Sequence, residues 1–130
     1  MRLRFVHVTA EGLGPYLSSL RALERGIRYP IADGADHFTI DHGEAYHPFF
    51  SRLGEAHFLL ALRGDEVVGS VAGVLRAVRA GEREVQALYL CDLKLAAQER
   101  GQGVARRLLQ RGLFEIARHP RARNPLCQRE

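Results

Sequence analysis

The sequence predicts a single α+β domain built on a mostly antiparallel sheet, with its elements in the order β-α-α-β-β-β-α. The chain of 130 residues is 46% hydrophobic, which is enough for one core. Three β-rich runs follow one another between residues 57 and 95 with short turns between them, so they should pair as antiparallel neighbours. Apolar residues recur at helical spacing on both sides of these runs.

The N-terminal part of the chain predicts a strand and a helix. Residues 2–8 alternate polar and apolar side chains, which is typical of a strand. Residues 14–25 carry apolar side chains every three or four positions, and Pro15 suits a first helical turn. Gly26 is expected to end this helix, and residues 28–40 are expected to form a loop.

A second, short helix is expected to begin at Asp41. Asp41 and Glu44 have the spacing of a capping box, in which two side chains satisfy amide groups of the first turn. Pro48 restricts the length of the helix, and Gly54 is expected to end it. Its apolar face, which should belong to the core, consists of Tyr46, Phe49, Phe50 and Leu53.

The three β-rich runs comprise residues 57–63, 66–79 and 85–95, and the first two are joined by a hairpin. The last helix is expected over residues 102–118, before a terminating His119-Pro120 pair. Its buried stripe should contain Ala105, Leu108, Leu109, Leu113 and Ile116.

Three glycines interrupt these elements. Gly69 and Gly73 weaken the second run, or mark a place where another backbone or a ligand comes close. Gly112 lies on the helical stripe, where glycine costs about 1 kcal/mol relative to alanine. Close packing of the helix on the sheet would offset that cost.

Charge is distributed unevenly along the chain. The net charge is +4, and residues 96–130 hold eight arginines against three acidic residues. The positive electrostatic field of these arginines would attract a polyanionic ligand. The alternative interpretation is that they belong to a solvated helix face and to a basic tail over residues 120–130. Nucleic acid is not expected, because no aromatic side chain alternates with the arginines of residues 118–129.

Composition excludes further classes of protein. No apolar run reaches the roughly 18 residues of a membrane span, and the N-terminus does not resemble a signal peptide. A cytoplasmic location is therefore expected, in which Cys91 and Cys127 stay unpaired. No Cys-x-x-Cys spacing indicates zinc.

The segment from Gln98 to Ala105 carries most of the functional information. Gly101 and Gly103 let the backbone approach a ligand without an intervening Cβ. The first amide groups of a helix lack intrahelical acceptors, and the helix macrodipole is positive there. Arg100 adds a full positive charge, so the segment is expected to bind a phosphate-bearing ligand.

Two common phosphate-binding motifs do not fit this segment. A Walker P-loop requires Lys and then Ser or Thr after its last glycine, but Val104 and Ala105 follow Gly103. A dinucleotide-binding fingerprint requires a third glycine where Arg106 stands, and a parallel βαβ unit around it.

The spacing Gln98-x-x-Gly101-x-Gly103, between a strand and a helix, resembles the pyrophosphate-binding motif of the GNAT superfamily of acyl-CoA-dependent N-acyltransferases. An ordinary glycine-rich turn is the alternative interpretation. The order of elements over about residues 1–118 also resembles the N-terminal part of the GNAT fold, and residues 93–109 resemble the motif itself.

The resemblance implies a reaction and a cofactor site. Acetyl-CoA, or another acyl-CoA, would be the donor, and a deprotonated amine would attack its thioester directly. The end of the strand would bind the pantetheine arm, and the amide groups after it would bind the pyrophosphate. The implied cofactor-binding residues are Leu93, Lys94, Leu95, Gln98, Arg100, Gly101, Gln102, Gly103, Val104 and Ala105.

The sequence specifies the acceptor side less well. Asp92 is the candidate catalytic residue, because a carboxylate on the ligand strand could accept a proton or bind the acceptor ammonium. An ion pair with Lys94 or an arginine on an exposed face is its alternative role, and Glu84 is a weaker candidate base. The resemblance implies further acceptor-side candidates, which are Tyr29, Phe38 and Tyr46.

No metal site is expected. The histidines at positions 37, 42 and 47, with Asp36 and Asp41, lie in a loop and a helix start without an i,i+4 pair on one face. Surface or capping roles are expected for these side chains.

The chain departs from the family at its C-terminal end. The family continues with further strands, whereas only residues 121–130 remain here. Residues 85–95 should therefore form an exposed apolar edge strand, which invites pairing with another chain. We expect an incomplete GNAT-like domain over residues 1–119. It would act as an N-acetyltransferase or, alternatively, as a truncated or non-catalytic CoA-binding module that forms a homodimer or is completed by another chain.

Overall fold

The computed structural model describes residues 2–118. In chain order its elements are β1 (Leu3–Thr9), α1 (Leu17–Arg25), β2 (Tyr29–Ile31), β3 (Asp36–Phe38), α2 (Pro48–Ser51), β4 (Glu55–Arg63), β5 (Glu66–Ala80), β6 (Arg83–Leu95) and α3 (Val104–Ala117). The expected His119-Pro120 helix end, the basic tail and Cys127 lie outside the described residues.

A four-stranded antiparallel sheet of order β1-β4-β5-β6 forms the centre of the fold. This confirms the prediction of three consecutive antiparallel strands, since alternating side chains and short turns together determine such pairing. One face of the sheet packs against α1, with Leu20 and Leu23 beside Phe58 of β4. The other face packs against α3, with Leu108 beside Leu59 of β4.

The first helix is shorter than expected. Two 3₁₀ turns, at residues 10–12 and 14–16, precede α1, and Pro15 lies in the second of them. α1 itself begins at Leu17 and ends at Arg25, one residue before Gly26 as expected. The fixed φ of proline suits either kind of helical turn, so the sequence pattern did not separate them.

Two predictions between residues 28 and 54 were wrong. The expected loop contains a two-stranded hairpin, in which β2 pairs with β3. The expected helix from Asp41 to Gly54 is reduced to the single turn α2. The carboxylate of Asp41 accepts a hydrogen bond from the Gly43 amide at 2.7 Å, which stabilises a local turn instead of capping a helix. Tyr46 adopts a φ of 65°, which no helix would allow.

Glycines bring α3 close to the sheet. A Cβ at Gly73 would lie 2.5 Å from Ile116 Cδ1 of α3, and one at Gly69 would lie 2.7 Å from Leu95 Cδ2 of β6. The sequence analysis expected another backbone or a ligand close to Gly69 and Gly73, and in the structure side chains occupy these places. At Gly112 a Cβ would lie no nearer than 3.6 Å to another side chain, so packing does not require that glycine.

The buried stripe of α3 differs in part from the prediction. Leu108 and Ile116 are buried as expected, and Ala105 and Leu109 are partly buried. Leu113 is 49% exposed, because the helix contacts the sheet through every fourth residue from Val104.

β6 is the last strand of the sheet within residues 2–118, so its outer edge carries no strand there. The pairing of β5 with β6 is interrupted by a bulge, in which Val71 lies opposite both Asp92 and Leu93. Asp92 has a φ of 57°. Among the helices of the described residues, none is both long enough and apolar enough to cross a membrane.

Candidate functional site

The turn between β6 and α3 exposes two glycines in the left-handed conformation. The chain leaves β6 through Ala96, whose amide donates to the carbonyl of Val68 at 2.8 Å. A 3₁₀ turn at residues 97–99 follows, and then Gly101 and Gly103 both adopt a φ of 78°. Gly103 is the N-cap of the 14-residue helix α3. Only glycine adopts this conformation without a steric cost.

The amide groups of residues 101–106 form the central feature of this site. Within residues 2–118 no hydrogen-bond acceptor is recorded for any of these six amides. Gly101, Gln102 and Gly103 are exposed to solvent. Unsatisfied amides at the N-terminus of a long helix carry partial positive charge, and so they are suited to bind an anion.

A buried ion pair holds the turn against the sheet. Glu99 is 3% exposed, and its Oε2 accepts a hydrogen bond from Nη2 of Arg63 at 3.0 Å, while Nε of Arg63 donates to Oε1. The hydrogen bonds from Arg63 lower the pKa of Glu99. The sequence analysis missed this pair, because its partners are 36 residues apart and no local pattern connects them.

Two adjoining clefts run from the turn along β6. The first, of about 350 Å³, lies between α1 and residues 95–98 and includes Arg100. The second, of about 240 Å³, is lined by Leu93, Lys94, Leu95, Arg100 and Ala105. The clefts share Ile27, Leu95 and Arg100 in their walls. The two clefts together form one groove, which is lined by six of the ten cofactor-binding residues implied by the sequence: Leu93, Lys94, Leu95, Gln98, Arg100 and Ala105. The other four, Gly101, Gln102, Gly103 and Val104, line neither cleft.

A third cavity, of about 380 Å³, lies at the other end of this groove and shares Tyr29 and Leu93 with the second cleft. Its walls contain one carboxylate, that of Asp92, and one imidazole, that of His42. Its other lining residues are Tyr29, Ile40, Phe49, Phe50, Leu53, Tyr89, Cys91 and Leu93. Apolar and aromatic side chains thus surround one carboxylate and one imidazole.

The three acceptor-side candidates have different positions. Tyr29 lines the cavity, and Phe38 stacks on the Tyr29 ring at a centroid distance of 5.1 Å without lining the cavity. Tyr46 is fully buried behind the cavity. The expectation of a core role therefore holds for Tyr46 and Phe50, whereas Phe49 is 54% exposed at the rim.

A buried hydrogen-bonded network lies behind Asp92. Nζ of Lys94 donates to Asp92 Oδ2 at 2.6 Å and also to the hydroxyl oxygen of Tyr46, which in turn donates to the same Oδ2. The Lys94 ammonium lies 3.6 Å from Oε1 of Glu24. Asp92 therefore pairs with Lys94, as the alternative reading of the sequence proposed, but in a nearly buried position instead of on an exposed face.

Burial perturbs three side chains around this network. It raises the pKa of Tyr46 far above its usual range, and the carboxylate of Asp92 adds to the effect. Burial also raises the pKa of Tyr29 and of the Cys91 thiol, again with a contribution from Asp92. All three groups are therefore protonated at neutral pH.

His42 is held by Glu24 of α1 through two contacts. The His42 amide donates to Glu24 Oε2 at 3.0 Å, and Nδ1 of His42 contacts Oε1 of the same carboxylate. Glu24 is 3% exposed. The sequence analysis did not single out Glu24, although an acidic residue next to Leu23 on the buried side of an amphipathic helix was an available signal.

The histidines and aspartates considered for a metal do not converge. His37 contacts Asp36 through its own amide, and His47 contacts Ser51. A different set does converge, since ligand atoms of Glu24, His42 and Asp92 lie within 4.8 Å of one another. The ammonium of Lys94 lies against both of these carboxylates and supplies the positive charge that they require.

Comparison with known proteins adds an independent finding. A family model described as "Acetyltransferase (GNAT) family" matches residues 20–126. No curated protein matches the chain.

Several solved structures share the fold. An aminoglycoside acetyltransferase from an uncultured soil metagenomic sample is 21% identical, with a TM-score of 0.57, over 90% of this chain and 72% of that one. An acyl-CoA N-acyltransferase from Pseudomonas aeruginosa is 19% identical, with a TM-score of 0.58 and the same coverage. A ribosomal-protein-alanine N-acetyltransferase from Brucella melitensis is 16% identical, with a TM-score of 0.56, again over 90% and 72%. Identities this low indicate a common fold and do not indicate a common substrate.

Proposed function

This chain belongs to the GNAT acetyltransferase family, and we propose that it is an acyl-CoA-dependent N-acyltransferase that transfers an acetyl group from acetyl-CoA to an amine. The observation that carries this proposal is the set of six amides at residues 101–106, which lie at a helix N-terminus without acceptors among the described residues. A diphosphate is a suitable ligand for such a set, because several amides can donate to its oxygens at once.

The groove supports one direction for the proposed cofactor. With the diphosphate at residues 101–105, the two clefts take the pantetheine arm along Leu95, Lys94 and Leu93 towards the β6 bulge. The outer edge of β6 has no strand partner within residues 2–118, so its backbone groups are available to the amides of the arm. The thioester then lies at the bulge, between the second cleft and the third cavity.

The acceptor amine enters the third cavity. Asp92, which lines that cavity, attracts the acceptor as an ammonium and holds it beside the thioester. After the ammonium loses one proton, its nitrogen attacks the thioester carbonyl carbon, and an amide of the β6 edge stabilises the oxyanion. The C–S bond then breaks, and the CoA thiolate leaves and takes up the second amine proton. No covalent enzyme intermediate is required.

Calorimetric titration with CoA and a thiol-release assay with acetyl-CoA test this proposal together. We expect saturable CoA binding, and CoA thiol release that depends on an added amine such as 2-phenylethylamine. Absence of CoA binding at high micromolar concentration contradicts the proposal. Binding of nucleic acid that weakens strongly with increasing salt, and that CoA does not displace, would favour a basic nucleic-acid binder instead.

The open edge of β6 favours a second candidate, a CoA-binding module that dimerises without turnover. Such a protein would sediment as a dimer and bind CoA, yet release no thiol with any amine. A monomer or dimer that shows amine-dependent thiol release contradicts this alternative.

A further inference from the structure

The third cavity contains a histidine whose surroundings resemble those of a catalytic base. We infer that His42, oriented by Glu24, removes the proton from the acceptor ammonium; this inference rests on the proposed function and assigns its base. Asp92 then binds the ammonium, and His42 accepts its proton.

The contacts of His42 leave one nitrogen available. Nδ1 faces the carboxylate of Glu24, so the neutral imidazole carries its hydrogen on Nδ1 and its lone pair on Nε2. Within the described residues no hydrogen bond is recorded for Nε2. A buried carboxylate that holds one nitrogen of an imidazole fixes both its tautomer and its orientation, and it stabilises the imidazolium that forms.

The position of His42 suits the reaction. One of its ring nitrogens lies within 4.8 Å of a carboxylate oxygen of Asp92, and both side chains line the third cavity. An ammonium bound by Asp92 in that cavity is therefore within reach of the imidazole. The ring is also fixed by its neighbours, with centroid distances of 5.2 Å to Tyr46 and 4.9 Å to Phe50.

The charged groups around His42 favour this division of roles. Glu24 and Asp92 are both near the imidazole, and Lys94 lies against both carboxylates. Oδ2 of Asp92 already accepts hydrogen bonds from Lys94 and Tyr46, whereas Nε2 of His42 accepts none among the described residues. Tyr29 and Tyr46 remain neutral, because burial raises their pKa values, so they do not compete for the proton.

The proton balance is complete. The ammonium R–NH₃⁺ gives one proton to Nε2 of His42, and the free amine attacks the thioester carbon. The second proton leaves the nitrogen when the C–S bond breaks and is taken up by the CoA thiolate. The imidazolium then returns its proton to water, so the products are the acetamide, CoA thiol and one proton.

The kinetic test compares His42→Gln with the matched control His47→Gln. His47 lies in the same segment, contacts Ser51 and does not line the third cavity. We expect His42→Gln to lower kcat for 2-phenylethylamine about 100-fold, the lower end of the effect of a general base, and to leave the CoA dissociation constant within a factor of about two. His47→Gln should change neither quantity by more than about twofold.

The pH profile separates a base from a structural residue. Wild-type kcat should reach a plateau with increasing pH, whereas kcat of His42→Gln should continue to rise across the same range, because the variant lacks the base. Glu24→Gln should lower kcat by about tenfold while CoA affinity stays unchanged, as expected for a positioning residue. Equal pH profiles for wild type and His42→Gln overturn the inference.

A spectroscopic experiment tests the role of His42 without a measurement of turnover. Long-range ¹H–¹⁵N correlation spectra, assigned by the peaks that His42→Gln removes from the six histidines of the chain, report the tautomer. We expect the Nδ1–H tautomer at neutral pH and a shift of the Nε2 resonance when 2-phenylethylamine is added to the CoA complex. An Nε2–H tautomer, or an Nε2 resonance that the amine leaves unchanged, overturns the inference. Loss of CoA binding by the wild type would instead overturn the proposed function.

Discussion

Replacing Gly103 by leucine should weaken CoA binding far more than it weakens the fold. Gly103 has a φ of 78°, and a Cβ there would meet no other heavy atom within 4 Å. A left-handed leucine costs about 1–2 kcal/mol of unfolding free energy. Its side chain also occupies the open space in front of the amides, where the diphosphate is proposed to bind. Each lost hydrogen bond to a charged group costs about 1.5–3 kcal/mol, so the CoA dissociation constant should rise about 10- to 150-fold per bond.

Gly81 provides a matched control for this substitution. It has a φ of 67° in the turn between β5 and β6, and a Cβ there is equally unobstructed. Gly81→Leu should therefore lose a similar 1–2 kcal/mol in urea unfolding while its calorimetric CoA affinity stays that of the wild type. Equal CoA dissociation constants for Gly103→Leu and Gly81→Leu would refute the reasoning, because the two variants share the strain and differ in the proposed ligand contact.

Three further predictions concern stability and ionisation. Gly112→Ala should raise the unfolding free energy by about 1 kcal/mol, since alanine has the higher helix propensity and the new methyl group fits. Gly73→Ala should lower the unfolding free energy by about 1–3 kcal/mol, because the new methyl group overpacks the core. Urea denaturation that finds Gly73→Ala more stable than Gly112→Ala contradicts the packing. Because hydrogen bonds from Arg63 lower the pKa of Glu99 in the folded state, the stability that this pair contributes should be complete above pH 4.5 and disappear as the pH falls through the lowered value. A loss in Glu99→Gln that is the same at pH 7 and at acidic pH would contradict this. Since burial raises the pKa of Tyr46, Tyr46→Phe should remove absorbance at 295 nm only from the highest-pH part of a spectrophotometric titration, and a loss near pH ~10, where exposed tyrosines ionise, would contradict the burial.

The sequence predicted the sheet and the glycine-containing turn before α3 because both depend on local chemistry. Alternating side chains located β4, β5 and β6 to within about two residues at each end, which is the usual uncertainty of such boundaries. The glycine spacing located Gly101 and Gly103, and their left-handed conformation requires that residue type. The family membership that this motif indicated is confirmed.

The elements that the sequence did not predict depend on tertiary contacts. The segment that begins at Asp41 was expected to be helical, but Tyr46 is buried in a left-handed conformation and Phe50 is buried in the single turn α2. His42 contacts a carboxylate 18 residues away, and that distance in sequence leaves no periodic signal. Burial of this kind, and contacts between side chains distant in sequence, depend on the whole fold, so no local sequence pattern predicts them.

The most direct test of the proposed cofactor site is a titration of the ¹⁵N-labelled protein with CoA, followed by amide chemical shifts. The largest changes should occur at the amides of residues 101–105, with smaller changes at residues 93–95 along the β6 edge. Saturating CoA that leaves these amides unchanged, while others shift, would contradict the site.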